Sequence, residues 1–307
     1  MTLLITACSK DKCATLAMSA AVLGSGTADE LARDWISKLC ASDDRLEAGK
    51  RYIGRGHRRA SAAAQRYGAS HLIMSAGLGF VRPGDEIPPY RLTLKRSEED
   101  SILPHLAPPA EVSNWWEAIE RHSPWARRLS VEWDGRSLIL IALPLDYLQI
   151  LPAQLERLPA AAKRMLRLIS GAAAAALPVS LRAYHLPYDR RLDGPDSTNP
   201  GTGSDFLGRA AAHFLGLLKS SDDSDGGIDS HKEMVENALG SMRPAERRQG
   251  RSLPDDAITA ILRSELANAT LGSNQLLRRF RDELGIACEQ SRFKRLYAGV
   301  RAERALA

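Results

Sequence analysis

The sequence has little of what marks a membrane or secreted protein. No apolar run approaches the roughly 20 residues that a membrane-spanning helix needs. The N-terminal apolar stretch has no basic residue before it and turns polar at Ser9, so it predicts a first strand rather than a signal peptide. The four cysteines lack both the spacing of a zinc site and the density of a disulfide framework. We therefore expect a cytoplasmic protein in a reducing compartment, with no membrane partner.

Motifs for metal, nucleotide-cofactor and serine-hydrolase chemistry are absent as well. The seven histidines are scattered and form no His-Glu-x-x-His pair. The glycine-rich segments match neither a Walker loop nor a dinucleotide fingerprint, and the Gly-x-Ser-x-Gly elbow of many hydrolases is missing. The sequence therefore predicts no metal and no cofactor, and it points to no protein partner.

Positive charge is concentrated near the C-terminus. The chain has 307 residues, with 42 Lys and Arg against 37 Asp and Glu. From Ser241 onward these counts are 13 and 8, so that stretch holds the whole formal excess of +5. A basic region of this kind is typical of a protein that binds a polyanion. A solvated helical surface would have the same composition.

Apolar runs alternate with segments of helical periodicity along most of the chain. Four runs predict buried parallel strands, at 3–7, 71–76, 137–143 and 178–184. Five helices are predicted between and around them, at 28–40, 55–67, 114–128, 147–158 and 160–169. Strands joined by helices imply right-handed crossovers and a mostly parallel sheet covered on both faces. We predict an α/β fold of three layers, with its ligand site beyond the carboxyl ends of the strands.

The polar, acidic segment 220–230 predicts a linker, because it contains glycine and lacks an apolar anchor. It separates an α/β domain at 1–219 from a basic, all-helical region at 231–307. Helices are predicted there at 253–266, 273–284 and 287–297. Gly285 lies where a helix end commonly needs a positive φ. The last two helices resemble a helix-turn-helix.

Polar residues follow three of the predicted strands. The loop after the first strand can hold a phosphate or sugar and position a water through Cys8, Ser9, Lys10, Asp11 and Lys12. Glycines after the second strand, in the turn that begins at Ser75 and Gly77, would let the backbone approach a ligand closely. The third strand is followed by Asp146, either as a carboxylate at the same sheet edge or as a helix N-cap.

Two further segments are candidates for ligand contacts. The stiff Pro88-Pro89 arm can present Tyr90 as a stacking surface for a nucleobase, although Tyr90 could equally fill the core. The Gly-Thr-Gly-Ser loop at 201–204 precedes a helix that carries Arg209, which is an anion-binding arrangement. Asp205 in that segment is a candidate for substrate binding or for helix capping.

Four short motifs resemble those of an uncharacterised family of bacterial and phage proteins. They are Cys-Ser-x-x-Lys at 8–12, Tyr-x-Gly at 52–54, Ser-Ala-x-x-Gly at 75–79, and Pro-Tyr before Thr-Leu at 89–94. That family is similar to the YaaA-like nucleic-acid-binding proteins and to the uracil-DNA-glycosylase-like domains of archaeosine transglycosylases. The extended architecture, with Asp205-Phe206 after the Gly-Thr-Gly loop and the segment 276–293 in the tail, resembles the Brig-type anti-phage DNA glycosylases, which remove modified bases from phage DNA. One departure is Gly77, where the family usually has a basic or aromatic residue.

The resemblance implies a Rossmann-like, uracil-DNA-glycosylase-like domain that receives a base flipped out of DNA, duplex or single-stranded, with phage DNA as one possible source. Our leading hypothesis is a DNA N-glycosylase, a hydrolase that excises a modified base in anti-phage defence while Tyr90 stacks on that base. The carboxylate that stabilises the sugar cation or aims a water would be Asp146 or Asp11, with Asp85 and Asp205 behind them.

Basic residues would then hold the DNA backbone. Lys10, Lys12 and Arg209 are the candidates for a phosphate at the site. The C-terminal candidates for backbone contacts are Arg278, Arg279, Arg281, Arg292, Lys294 and Arg295. Two alternatives remain open at this point: a non-catalytic nucleic-acid-binding stress-response protein, and a transglycosylase-like enzyme that exchanges bases.

Overall fold

The computed structural model describes residues 1–13, 17–96, 98–221, 226–246, 250–268 and 271–306. Within these ranges the chain folds as two compact units, Met1–Ala245 and Glu246–Ala307. The division falls later than the predicted linker at 220–230, of which residues 222–225 lie outside the described residues. The helix Ile228–Gly240 belongs to the first unit because Val235 and Leu239 are buried in its core.

The first unit contains nine strands and ten helices within the described residues. The strands are β1 (Thr2–Ala7), β2 (Met18–Ser19), β3 (Leu46–Glu47), β4 (Ser70–Ser75), β5 (Gly79–Val81), β6 (Glu86–Ile87), β7 (Tyr90–Arg91), β8 (Leu138–Ala142) and β9 (Leu166–Ile169). The helices are α1 (Ala28–Cys40), α2 (Ala48–Arg51), α3 (Arg55–Tyr67), α4 (Val112–His122), α5 (Leu129–Glu132), α6 (Leu145–Leu148), α7 (Leu151–Glu156), α8 (Ala160–Arg164), α9 (Phe206–Ser221) and α10 (Ile228–Gly240).

The central sheet has the strand order β5-β4-β1-β8-β9. Strands β4, β1, β8 and β9 are parallel, and β5 is antiparallel to β4. Side chains of β1 alternate between two apolar layers: Leu3 and Ile5 pack in the layer that contains α1 and α4, and Leu4 packs in the layer that contains α3 and α9. The expected α/β fold with a mostly parallel sheet is therefore confirmed.

Local sequence determines where the two long helices beside the sheet begin and end. Helix α1 starts at a capping box, in which the Thr27 side chain accepts from the Glu30 N–H and the Glu30 carboxylate accepts from the Thr27 N–H. Helix α3 ends at Gly68, whose φ of 65° is open to glycine at little cost. Both helices have the bounds that periodicity predicted, 28–40 and 55–67.

The later part of the first unit differs from the sequence-based expectation. The predicted strand at 178–184 is a short run of helical turns, Val179–Tyr184, because it lies at the surface, with Val179 77% exposed. The fourth parallel strand is instead β9, inside the predicted helix 160–169, where all four side chains are buried. The predicted helix 147–158 is interrupted, and α7 restarts with Pro152 in its first turn, where proline is tolerated.

The order of the parallel strands creates a crevice at one edge of the sheet. From β1 the chain continues to β4 on one side of β1, whereas β8 pairs with β1 on the other side and leads outward to β9. The loops that follow Ala7 and Ala142 therefore diverge from neighbouring strand ends. In open α/β sheets this is the place where ligands bind.

The second unit contains three helices and one small strand pair within the described residues. Its elements are β10 (Arg251–Ser252), α11 (Asp255–Asn268), α12 (Ser273–Asp282), β11 (Ile286–Ala287) and α13 (Gln290–Leu306). Gly285 has φ 61°, as predicted for the end of α12. Its carbonyl accepts from the Arg251 N–H at 2.7 Å and begins the β10–β11 pairing. The unit is therefore not purely helical.

Helices α3 and α9 pack closely through two glycines. A Cβ on Gly208 would collide with the carbonyl oxygen of Gly56. Replacing Gly208 with Ala should lower the free energy of unfolding by about 1–3 kcal/mol. Moving α3 and α9 apart destabilises the fold by more than the higher helix propensity of alanine stabilises it. Urea denaturation of Gly208→Ala tests this. Gly240→Ala is the matched control, since its Cβ would meet nothing within 4 Å. Equal stability changes in both variants would contradict the close contact.

A pair of histidines is buried between α3 and β4. The rings of His57 and His71 stack with centroids 5.7 Å apart, and Thr6 Oγ1 lies 2.8 Å from His71 Nε2. Burial lowers the pKa of His57 to about 4 and that of His71 to about 3. Both rings are therefore neutral in the folded protein near pH 7.

Stability should fall as the pH drops below the ordinary histidine pKa of 6.5. Below that pH the unfolded chain binds protons that the folded chain does not bind. Each of the two histidines therefore lowers the free energy of unfolding by about 1.4 kcal/mol per pH unit, until the pH reaches its pKa in the folded protein. Urea denaturation from pH 7.5 to 4 measures this slope. His71→Gln should reduce it, and His105→Gln, at a surface turn, controls for the loss of a histidine. An unchanged slope in His71→Gln would refute the assignment.

Candidate functional site

A cavity of about 1040 Å³ opens at the carboxyl ends of β1 and β8. We call it the cleft. Its lining includes the loop of residues 8–12 after β1 and three residues after β8, Pro144, Asp146 and Tyr147. Further lining comes from Ala17, Ile53, Ser204 and the segment after β6, namely Tyr90, Arg91, Leu92, Thr93, Lys95, Glu98 and Asp100. The size is that of a small-molecule site, and the lining is unusually rich in charge.

The loop of residues 8–12 is held against the start of α3. The Gly54 N–H donates to Ser9 Oγ at 3.0 Å, and the Ile53 N–H donates to the carbonyl of Asp11 at 3.0 Å. A Cβ on Gly54 would collide with Ser9 Oγ, so glycine is required for this approach. The two motifs at 8–12 and 52–54 are therefore one structural element, and they place Lys10, Asp11 and Lys12 at the cleft.

Buried hydroxyl groups form the floor beneath this loop. The Tyr90 hydroxyl lies 2.9 Å from that of Tyr52 and 2.5 Å from Ser75 Oγ, and the Tyr147 hydroxyl lies 3.3 Å from the Cys8 sulfur. Burial raises the pKa of all three tyrosines well above 10. They are therefore neutral donors and acceptors at physiological pH.

Lys12 lies directly above this floor. Its ammonium donates to the carbonyl of Ser9 at 2.9 Å and lies 4.4 Å from the centre of the Tyr90 ring. Burial lowers the pKa of the Lys12 amine below its ordinary value of 10.5, against the opposing effect of Cys8, Asp100 and Asp11. Lys12 is thus a desolvated cation at the cleft, and its lowered pKa makes its amine easier to deprotonate than that of an ordinary lysine.

Four carboxylates line the cleft, and they differ in whether they are paired. Glu98 accepts from Lys10 and lies 3.6 Å from Lys95, and Asp100 accepts from the hydroxyl of Ser19. Asp11 and Asp146 are exposed and have no side-chain hydrogen bond or ion pair among the described residues. Asp146 is also not the N-cap of α6, because Pro144 occupies that position. These two carboxylates are the ones free to act on a ligand.

The turn at Ser75 and Gly77 does not open onto the cleft. It is a buried hairpin between β4 and β5, where the Gly77 carbonyl accepts from Trp35 Nε1 at 2.9 Å. A Cβ on Gly77 would lie 3.0 Å from the Tyr90 ring, so this glycine makes room for a tyrosine rather than for a ligand. Tyr90 is 0% exposed and is covered by Lys12, which favours the core position over a stacking surface.

Three other predicted site residues lie outside the cleft, each in an ion pair. Asp85 pairs with Arg127 and accepts from the Arg82 N–H at 2.7 Å, which fixes the turn between β5 and β6. Asp205 accepts from the Thr202 N–H at 2.8 Å and from Arg209 Nε at 2.9 Å, so it caps the helical turn before α9. Arg209 is buried and also binds Asp193, so it is not available to an external phosphate.

The basic residues of the second unit are mostly occupied within that unit. Arg292 and Arg295 both pair with Asp255, Arg279 pairs with Glu265 and Glu283, and Arg281 donates to the carbonyl of Cys288. Arg278 is 85% exposed and contacts Asp282 at 3.4 Å. Lys294 is exposed. Arg278 and Lys294 are therefore the two predicted DNA contacts least committed to the unit itself.

Sequence reasoning missed the charged segment Lys95, Glu98 and Asp100, and it missed Tyr147 and Ser204. The segment is a dense run of charges just after the Pro-Tyr motif, and that density was the available signal. Tyr147 directly follows Asp146. Its hydroxyl, which contacts Cys8, could not be anticipated without the sheet order.

The chain has no match among protein-family models, curated proteins or solved structures. Among the described residues, no group of three or more His, Cys, Asp or Glu side chains is arranged to hold a metal ion. None of the described helices is both long and apolar enough to cross a membrane. The function must therefore be argued from the cleft itself.

Removing the Tyr90 hydroxyl tests whether this residue is structural. Tyr90→Phe should lower the free energy of unfolding by about 1–3 kcal/mol, because the buried hydroxyls of Tyr52 and Ser75 each lose their hydrogen bond to Tyr90. Thermal and urea unfolding measure the loss. Tyr184→Phe is the control, since that hydroxyl has no hydrogen bond among the described residues. Unchanged stability in Tyr90→Phe would favour a ligand-stacking role instead.

Proposed function

We propose that the first unit hydrolyses the N-glycosidic bond of a modified base in DNA. The observation that supports this most directly is that two unpaired carboxylates, Asp11 and Asp146, line a single cleft beside a buried lysine. N-glycoside hydrolysis develops positive charge on the sugar, which a free carboxylate stabilises, and it consumes a water, which a carboxylate can deprotonate. The motifs at 8–12 and 75–79 are also in keeping with this proposal, since they resemble those of an uncharacterised family that is similar to base-exchanging domains.

Asp146 is the carboxylate that we assign to the reaction. It lies in the first turn of α6, directly after the end of β8, so its position is set by the sheet rather than by a long loop. As the C1′–N bond breaks, the base leaves with the bonding electrons and takes up a proton. Water attacks C1′, and Asp146 accepts the proton that this water loses. Asp11 faces the same space and supports the positive charge on the sugar.

The remaining lining residues suit a nucleotide drawn out of the DNA stack. Ile53 and Leu92 offer apolar surface for the base, and Thr93 offers a polar edge. Lys10 and Lys95 lie at the exposed side, where a backbone phosphate would compete with Glu98 for them. In the second unit, Arg278 and Lys294 are the proposed contacts with the DNA backbone. A Rossmann-like, uracil-DNA-glycosylase-like identity of the sheet domain and a role in anti-phage defence belong to the same proposal.

Asp146→Asn should abolish base release while leaving DNA binding intact. The amide keeps the shape of the side chain but cannot accept a proton or balance the sugar cation. The assay incubates purified protein with DNA carrying normal or modified bases, including glycosylated phage DNA, and then cleaves abasic sites with alkali. Asp134→Asn, an exposed carboxylate outside the cleft, is the matched control.

The outcomes separate the candidate functions. Full activity in Asp146→Asn would remove Asp146 from the reaction. DNA binding without base release from any substrate would favour the non-catalytic nucleic-acid-binding protein. Incorporation of labelled free base into DNA would favour the base exchanger.

A further inference from the structure

Lys12 differs from the other two lysines of the cleft in how its amine is held. Lys10 is 70% exposed and Lys95 is 57% exposed, and both contact the Glu98 carboxylate. The Lys12 amine has a carbonyl at 2.9 Å and two tyrosine rings at 4.4 and 5.6 Å, with no carboxylate within ion-pair distance among the described residues. Glycosidic hydrolysis by a carboxylate and a water gives this amine no task.

The surroundings of Lys12 favour a free amine. Burial lowers its pKa from 10.5, although Cys8, Asp100 and Asp11 oppose the shift. A desolvated lysine amine is a nucleophile for carbonyl carbon, with which it forms an imine. Lys10 and Lys95 are largely exposed and contact Glu98, so neither of them shares the desolvated position of Lys12.

We propose that Lys12 forms an imine with C1′ of an abasic deoxyribose in the cleft, so that the protein also cleaves the DNA strand at abasic sites. The inference rests on the proposed base excision, because that reaction generates an abasic sugar next to Lys12. The chemical class of the second substrate is a DNA strand with an aldehydic abasic sugar. The same cleft serves both reactions.

The steps balance without any outside oxidant or reductant. The lone pair of the neutral amine attacks the C1′ aldehyde, one amine proton moves to the aldehyde oxygen, and a second proton from solvent lets the C1′–O bond break as water leaves, so that a protonated C=N bond forms. A carboxylate takes a proton from C2′, and the C2′–H electrons form a C2′–C3′ double bond. The C3′–O bond breaks, and its electrons leave with the 3′ phosphate. Water then hydrolyses the imine and frees Lys12.

Asp11 is the carboxylate placed for the proton transfer. Asp11 directly precedes Lys12 in the chain and lines the same cleft. Its charge is close enough to act on the Lys12 amine, whose pKa it raises. Its lack of an ion pair among the described residues leaves it free to accept a proton from C2′. Asp146 would thus serve base release alone, whereas Asp11 would support the sugar cation in base release and accept the C2′ proton in strand cleavage.

Reductive trapping tests the imine directly in the full-length protein. A DNA duplex with one preformed abasic site is incubated with the protein and cyanoborohydride, which reduces an imine to a stable amine. A covalent protein–DNA adduct is expected, and peptide mass spectrometry should place it on Lys12. The control duplex carries a tetrahydrofuran in place of the abasic sugar, which has no aldehyde and should give no adduct.

Variants and pH sharpen the assignment. Lys12→Arg keeps the positive charge over Tyr90 but has no free amine, so the adduct should be lost. Lys50→Arg, an exposed lysine outside the cleft, should trap as well as the parent protein. Trapping should rise to its plateau at a pH below 10.5, because the amine that reacts has a lowered pKa.

The mapping decides the proposal even if Lys12→Arg fails to fold. An adduct on Lys12 supports it, and no adduct, or an adduct on Lys10, Lys95 or any other amine, overturns it. Base release is measured in parallel on modified DNA. Base release without a Lys12 adduct would overturn only this inference, whereas a Lys12 adduct without base release would leave strand cleavage standing and remove the proposed glycosylase.

Discussion

The candidate site depends on one feature of the sheet order, which is that the parallel strands are added on both sides of β1, toward β4 on one side and toward β8 and β9 on the other. The chain continues from β1 toward β4 on one side, whereas β8, on the other side, leads away to β9. No connection therefore crosses the carboxyl ends of β1 and β8, and the loops after Ala7 and Ala142 border an open crevice. Every residue to which we assign a reaction step lies on one of these two loops. The chemistry follows from the topology of the sheet more than from any single motif.

Charge pairing divides the polar residues of the first unit into structural and available groups. Arg209 and Asp205 are buried together, and a buried ion pair of this kind is costly to break because the remaining charge would be left without a partner. Asp85 is paired with Arg127 at a partly exposed position. Asp11 and Asp146 carry no such commitment among the described residues, and they face solvent at the cleft. Asp11 and Asp146 differ from the aspartates that maintain the fold in lacking an ion pair among the described residues, and not in residue type.

Local sequence predicts the helices near residues 28–67 and in the second unit well, and it predicts the stretch 147–184 poorly. Helices α1 and α3 were predicted to the residue, because capping and glycine termination are encoded within a few positions. The pattern at 160–169 predicts a helix where β9 forms, because Arg167 interrupts the apolar run and the strand depends on pairing with β8, which no local pattern reveals. The sequence allows structural as well as functional roles for Tyr90 and Asp205, and the structural roles fit the observed burial. Strand pairing and burial are tertiary properties. The sequence therefore identifies these residues as candidates but does not decide between a functional and a structural role for them.

The position of Lys12 depends on the hydrogen bond between Gly54 and Ser9, which also shapes the loop of residues 8–12. Because Gly54 has no side chain, its N–H reaches Ser9 Oγ, and the loop of residues 8–12 is drawn down over the buried tyrosines. Lys12 is thereby placed over Tyr90, where it loses water but gains no carboxylate within ion-pair distance among the described residues. A lysine that served only as a phosphate contact would be more effective in the hydrated position of Lys10, since an ammonium group binds phosphate as a point charge at an exposed edge. The desolvation of Lys12 therefore favours a chemical role over an electrostatic one.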